Sequence, residues 1–567
     1  MRRLIRVASG EEPADLVLSD GKIVNVFNRT ITEGGIAIAG DAIAGIGRYT
    51  AKKTVSLKGK FVAPGFIDPH VHIESSLAGV NEFARTVAAS GTTTVFADPH
   101  EIANVLGVHG IEYMLKSAEG QPMDIYFTVP SCVPATAMET AGARISAEAI
   151  RPLLENPRIA GLGEMMNFPG VIMGDPDVLE KIRAARGAGT ALDGHAPGLS
   201  GKPLQAYLAA GMGSDHECTT VREAREKLAF GIHIMIRQGT GAKNLQDLLP
   251  LIDERNCRRL MWCTDDRHPH DLLDSGHIDA IIREAVAGGI DPLVAIQMGT
   301  LNPAEYFRMR HIGAIAPGRR ANLVILSDMK NLTVEKVFSG GVLTAENGDI
   351  LPEIEKPPAE PIPNSMAIDA NRLDFSTPAR SGRIRVIDLL PGQIVTKASL
   401  LNAKVESGRV VSDVSQDMLK LAVVERYTGR CGTGIGFVRG FGIRRGAIAS
   451  SVAHDSHNLI VVGTNDHDMA SAVLSVASMN GGLAAVESGN VTAALPLPIA
   501  GLMSDMEMGD IRMHLDRLRA AARDMGCIVE DPFMALSFLA LPVIPSLKLT
   551  DKGLVDVEAF KLVDLYE

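Results

Sequence analysis

The stretch Gly65-Phe66-Ile67-Asp68-Pro69-His70-Val71-His72 (65–72) is a short apolar run that ends in polar side chains. It reads as a buried strand, and because side chains alternate along a strand, His70 and His72 share one side and can grip one ion. Seven further runs follow the same plan: TTTVFADPH (92–100), DIYFTVPS (124–131), IAGLGEM (159–165), TALDGH (190–195), GMGSDHE (211–217), HIMIRQGTG (233–241) and RLMWCTDD (259–266). Intervening segments such as DPDVLEKIRAARGAG and HIDAIIREAVAGGI carry the 3.6-residue spacing of amphipathic helices. Eight β/α units in about 250 residues predict an α/β fold, a closed (β/α)8 TIM-type barrel over 61–310, rather than an open doubly wound sheet.

Outside the barrel the rhythm changes. Residues 1–60 alternate in short β-like runs separated by Asp-Gly and Gly-Asp turns, and the same pattern returns at 311–350, so both flanks are expected to build one small β-sandwich. Five prolines in LPEIEKPPAEPIPNS (351–365) deny both helix and ladder hydrogen bonds and read as a linker. Residues 366–567 carry fresh strand and helix patterns, such as SGRIRVIDLL and IRMHLDRLRAAARDMG, and are expected to form a C-terminal α/β (α+β) domain. The glycine run GRCGTGIGFVRGFG (429–442) lacks both the Gly-Lys-Ser/Thr and the dinucleotide patterns and reads as turns.

The 567 residues hold 56 Lys+Arg against 67 Asp+Glu, a net charge of −11 that offers no electrostatic case for nucleic acid or an anionic membrane. The six cysteines are scattered without a Cys-x-x-Cys pair, the opening MRRLIRVASGEEPADL lacks the apolar core of a signal peptide, and no apolar run of about 18 residues occurs. A cytoplasmic protein with no membrane or nucleic-acid partner is expected.

In a parallel barrel the active site gathers at the C-terminal strand ends. Those ends carry His70 and His72 (strand one), Glu164 (four), His195 (five), His216 (six) and Asp265-Asp266 (eight). Burying so many ionisable groups around one mouth costs several kcal/mol unless a cation compensates them. Imidazole and carboxylate ligands without thiolates suit Mn(II), Fe(II) or Zn(II).

With PGFIDPHVHIESS (64–76), FADPHEIANVLG (96–107), GLGEMMNFPGV (161–171), DGHAPGLSG (193–201), SDHECT (214–219), CTDDRHPHDL (263–272) and SVAHDSHNLIVVGTND (451–466), the chain resembles the amidohydrolase superfamily and, within it, the bacterial adenine deaminases. The resemblance spans essentially the whole length. It implies a binuclear divalent-metal centre, manganese first and iron or zinc after it. His70, His72 and Asp265 would hold one ion, His195 and His216 the other, and Glu164 would bridge, in place of the carboxylated lysine of dihydroorotase-like relatives. It implies hydrolytic deamination of adenine to hypoxanthine and ammonia in purine salvage, by a homo-oligomer, on the dimer pattern. Asp265 would take the water proton, and Glu164 or Glu101 would serve as proton shuttle.

Several residues stay open between two readings. Asp98, His100 and Glu101 bind substrate or a further ion, or they orient the ligand histidines. Gln238 hydrogen-bonds a purine edge or caps a glycine-rich loop. His454 or His457 of HDSHN closes the purine pocket, with His457 the candidate contact, or the cluster is a simple cap. Arg267 and His268 are assigned no chemistry. The same ligands could serve a hydrolase of cyclic amides or of another amino-heterocycle, since they define water activation rather than substrate. A non-catalytic assembly protein on this scaffold would be expected to lose metal ligands, and all six candidates are present.

Overall fold

The computed structural model describes residues 1–351, 353, 360–391 and 393–567. The expected linker at 351–365 lies in part, at 352 and 354–359, outside the described residues. All eight barrel strands form: Phe66–Val71, Thr92–Ala97, Asp124–Val129, Ile159–Met165, Ala191–Gly194, Ser214–Asp215, His233–Arg237 and Leu260–Cys263. Strands one to five pair in parallel in chain order, and so do six to eight.

Two backbone seams close the ring. Gly213 N donates to Leu192 O at 2.9 Å between strands five and six. A parallel bridge joins Val71 to Asp265, with Asp265 N donating to His70 O (3.0 Å) and His72 N to Asp265 O (3.2 Å). Every residue of strands one, two and four is buried. Burial on both faces is why these segments read as continuous apolar runs rather than as an alternation.

The outer helices start and stop where local chemistry dictates. In Pro176–Ala188, Asp175 accepts from Asp177 N and Val178 N, Pro176 occupies the first helical position, and Gly189 ends the helix at φ +72°. Trp262 is fully buried against the last helices and donates its indole N–H to Ala295 O at 2.8 Å.

Strands from both flanks join one nine-stranded sheet. Ala14–Asn25 pairs with Thr30–Ala39, Ala51–Ser56 and Phe61–Pro64, and Leu323–Leu326 adds on to Phe61–Pro64. Gly40, at φ +63°, turns the expected hairpin. Asp20-Gly21 does not turn the chain. It forms a bulge inside Ala14–Asn25, where the register with Thr30–Ala39 shifts between Leu18 and Gly21 and Leu57 packs close to Gly21.

The C-terminal region holds an eight-stranded, mostly antiparallel sheet covered by the helices Asp466–Ser478 and Met508–Asp524. Of the glycine run 429–442 read as turns, Gly429, Gly440 and Gly442 do take positive φ, but the middle is a strand, Thr433–Arg439, inside that sheet. A Cβ on Gly434 would sit 1.9 Å from Thr550 O, so the glycine serves a close backbone approach and not a reversal. One continuous apolar cluster runs from the barrel (Val71, Phe83, Phe127) into this region (Leu421, Phe441, Leu515). Backbone bonds from Gly79 to Ser504 (2.8 Å) and from Ser504 to Leu77 (2.7 Å) pin it beside strand one. No helix among the described residues is long and apolar enough to cross a membrane.

Candidate active site

The end of strand one sets the centre. His70 and His72 lie on the same side of the strand, with ring centroids 4.9 Å apart. Below them Asp68 ties the strand down: it accepts from His70 N at 3.2 Å and from Thr264 Oγ1 at 2.5 Å, and lies 3.2 Å from His277 Nε2. The strand-eight end answers from across the seam. Asp265 adopts the left-handed region at φ +59°, strained for a non-glycine residue and of a kind that clusters at functional sites. Its Oδ1 then lies 3.0 Å from His72 Nε2 and 3.6 Å from His70 Nε2.

Glu164 stands between two groups of imidazoles. Oε1 lies 3.3 Å from His72 Nε2 and 3.9 Å from His70 Nε2, while Oε2 lies 2.6 Å from His195 Nδ1 and 3.2 Å from His216 Nε2. The structure therefore brings His70, His72, Glu164, His195, His216 and Asp265 into one buried cluster, with His195 the most exposed of the six. Its subsets His70/His72/Asp265 and His70/Glu164/His216 are compact enough to hold an ion.

The donor chemistry fits a divalent pair. His70 Nε2 and His100 Nδ1 are buried with no hydrogen-bond partner, an expensive state unless something positive completes them. Burial, together with His216, pushes His70 down to about 3, so its ring is neutral and keeps a free lone pair. Burial also lowers His216, but Glu164 outweighs it and lifts the ring to about 9, so a cation entering there displaces a proton. Burial raises Glu164, yet His195, His216 and His72 hold it well below the usual carboxylate range.

The surrounding shell fixes the ligands. His72 Nδ1 faces Asp98 O at 2.9 Å, and Asp98 Oδ2 accepts from Glu164 N at 2.9 Å. Asp98 thus touches the cluster through both its backbone and its side chain. His100 spans from Glu164 Oε1 (3.4 Å from Nδ1) to Glu101 Oε1 (3.4 Å from Nε2). Glu101 is met from the C-terminal region: His454 Nδ1 lies 2.7 Å from Oε1, and His457 Nε2 contacts Oε2. His457 is buried with both ring nitrogens engaged, since Nδ1 accepts from Ala453 N at 3.2 Å. His454, with 11% of its side chain exposed, borders a cavity that is partly open to solvent. Leu77, Leu502, Phe533 and Phe538 form apolar walls there, and Glu101 and Asp266 stand at its barrel end.

Gln238 is not brought to the cluster. It donates to Glu284 Oε2 at 3.0 Å and accepts from Leu245 N, the loop-capping alternative. Its neighbour Arg237 is there instead: Nη1 lies 2.6 Å from Asp265 Oδ2 and also contacts Glu217, which approaches His216 Nε2 at 3.5 Å. One step along a strand reverses the face, so the choice between positions 237 and 238 needed only the register of HIMIRQ. Glu217 and the cavity aromatics Phe533 and Phe538 had no comparable signal. Among the described residues, Arg267 Nη1 reaches the carbonyls of Gln238 and His277.

Residues 61–344 match the amidohydrolase family model, and residues 393–561 match that of the adenine deaminase C-terminal domain. Among curated proteins, an adenine deaminase of Desulfatibacillum aliphaticivorans is 55% identical over 565 residues, covering 100% of this chain and 99% of its own. Adenine deaminases of Dehalococcoides mccartyi (strain 195) and Kosmotoga olearia are each 47% identical over 99% of this chain and 99% and 98% of their own. The chain belongs to the adenine deaminase family. In this member of the adenine deaminase family the two matched regions meet at one carboxylate: Glu101 comes from the first and His454 and His457 from the second.

Proposed function

We propose that the protein hydrolyses adenine at C6 to hypoxanthine and ammonia, as a purine-salvage step. The observation that supports this reading is the contact of Glu101 with His454 and His457: these three line a cavity with aromatic walls, and His100 links Glu101 to Glu164 of the histidine–carboxylate cluster. His70, His72 and Asp265 would hold one divalent ion, His195 and His216 a second, and Glu164 both. Manganese is the first choice, with iron or zinc possible. A bound pair of this kind acidifies water and so supplies a nucleophile at neutral pH.

The chain's own groups do the rest. Asp265, held well below the usual carboxylate range by the Arg237 guanidinium despite burial, is the group that would take the water proton. Glu101 and Glu164, linked through His100, are the carboxylates that move a proton towards the departing amino group. Leu77, Leu502, Phe533 and Phe538 give a bound base an apolar surround that strengthens its polar contacts. A homo-oligomer remains part of the proposal.

Reconstitution of metal-free protein with Mn(II), followed by adenine absorbance and ammonia release, tests the reading. Turnover of a cyclic amide with none of adenine would overturn it.

A further inference from the structure

His454 is a polar side chain of the cavity whose hydrogen-bonding capacity is half used. Its Nδ1 faces Glu101 Oε1 at 2.7 Å, and its ring stacks on Phe538 with centroids 4.7 Å apart and planes 21° from parallel. Those two contacts fix the ring in both position and rotation. Nε2 makes no hydrogen bond with any described residue, and the ring borders the cavity, whereas both nitrogens of His457 are spent on Glu101 and Ala453.

Among the other ionisable groups at the barrel end of the cavity, Glu101 gives both oxygens to His454 and His457, Asp266 Oδ1 accepts from Ser75 Oγ, and Glu74 Oε1 accepts from Ile102 N at 3.2 Å. His268, the remaining cavity imidazole, leans on Asp531 at 3.7 Å from Nδ1. An aminopurine presents both kinds of partner: an exocyclic amino group and a ring N–H that donate, and unprotonated ring nitrogens that only accept. A carboxylate serves the first kind, and a fixed N–H donor is needed for the second.

Resting on the adenine reading, we infer that His454 is a specificity-determining residue whose Nε2–H donates to an unprotonated ring nitrogen of the base. Burial lowers the ring, but Glu101 outweighs this and holds it at about 9, so at neutral pH both nitrogens carry protons and Nε2 is a charge-assisted donor. Glu101 then has two tasks: it keeps the donor charged and it fixes the donor's direction. The aromatic face of Phe538 adds the rotational restraint, so the hydrogen bond is prepaid in entropy before the base arrives.

The test compares adenine with 7-deazaadenine and 3-deazaadenine, in which one ring nitrogen is replaced by C–H, on Mn(II)-loaded full-length protein and its His454→Gln and His454→Phe variants. In the unaltered protein one of the two analogues should lose on the order of 10- to 100-fold in kcat/KM relative to adenine beyond the loss of the other. In His454→Phe that excess should collapse to within about threefold, with His454→Gln, which keeps an N–H donor, in between. The differences between analogues cancel any general damage from loosening Glu101. Calorimetric Kd values for the same three bases give the same comparison where turnover is slow, and melting curves identify a variant that has not folded. An identical analogue penalty in all three proteins would overturn the role of His454. Absence of adenine turnover in the unaltered protein would instead overturn the activity, leaving the Kd comparison to judge His454 on its own.

Discussion

His454 Nδ1 lies 2.7 Å from Glu101 Oε1 across a separation of 353 residues, and the other oxygen of the same carboxylate is taken by His457. Burial alone would raise the Glu101 carboxyl, but His454, His457 and His100 hold it well below the carboxylate range. Removing that charge leaves buried imidazolium uncompensated. Glu101→Gln should cost on the order of 3 kcal/mol in urea unfolding. It should also lower kcat by roughly 100-fold through the lost proton transfer. An unchanged unfolding midpoint with unchanged kcat would show that the contact is incidental.

Glu164 touches both imidazole groups, so a substitution there acts on both. Glu164→Gln should release at least one of the bound ions per chain, read by elemental analysis after dialysis, while the fold, read by circular dichroism, persists. Retention of the full metal complement would remove Glu164 from the ligand set.

Gly163 is the close approach on which Glu164 depends. A Cβ there would lie 2.1 Å from Asp98 Oδ2, the oxygen that holds Glu164 N. Gly163→Ala must push Asp98 aside, at about 1–3 kcal/mol of stability for the overpacking. Glu164 loses its backbone anchor with it. We expect a lower melting temperature together with a lower metal affinity. A fall in melting temperature with metal affinity unaltered would separate packing from ligand placement.

Arg237 contacts Asp265 Oδ2 and Glu217 at once, a planar fork that an ammonium cannot reproduce. Arg237→Lys should recover only part of the rate lost in Arg237→Met, with kcat in the methionine variant reduced by roughly 100-fold. Equal kinetics in the two variants would argue against a geometric role.

Glu139, buried against the C-terminal region, supplies a pH signature. Burial, with Asp455 and Asp551 nearby, raises it from 4.5 to about 8. The folded state therefore holds this proton more tightly than the unfolded state, and the contribution, fully present below about 4.5, is lost as pH rises through about 8. The melting temperature of Glu139→Gln relative to the unaltered protein should climb between about pH 5 and about pH 9. A constant difference across that range would mean the carboxyl is already ionised in the folded protein.

The barrel and its metal-ligand candidates were legible because both rest on short-range rules. Eight buried strands announce themselves by continuous apolar runs, and parallel closure gathers their C-terminal ends whatever lies between them. His70, His72, Glu164, His195, His216 and the pair Asp265-Asp266 followed from that pattern, and the family resemblance chose Asp265. Tertiary packing decided what periodicity leaves undetermined. Arg237 rather than Gln238 faces the cluster because one residue of strand register separates the two faces. Thr433–Arg439 is a strand because Leu419–Val424 and Ile384–Leu389 pair with it, and Gly434 lets Thr550 O, more than a hundred residues away in the chain, come close. The partner of Glu101, and with it the wall of the cavity, was decided in the same manner. Local sequence places a histidine on a loop, but only the burial of the C-terminal sheet against strand one brings that loop to the barrel mouth.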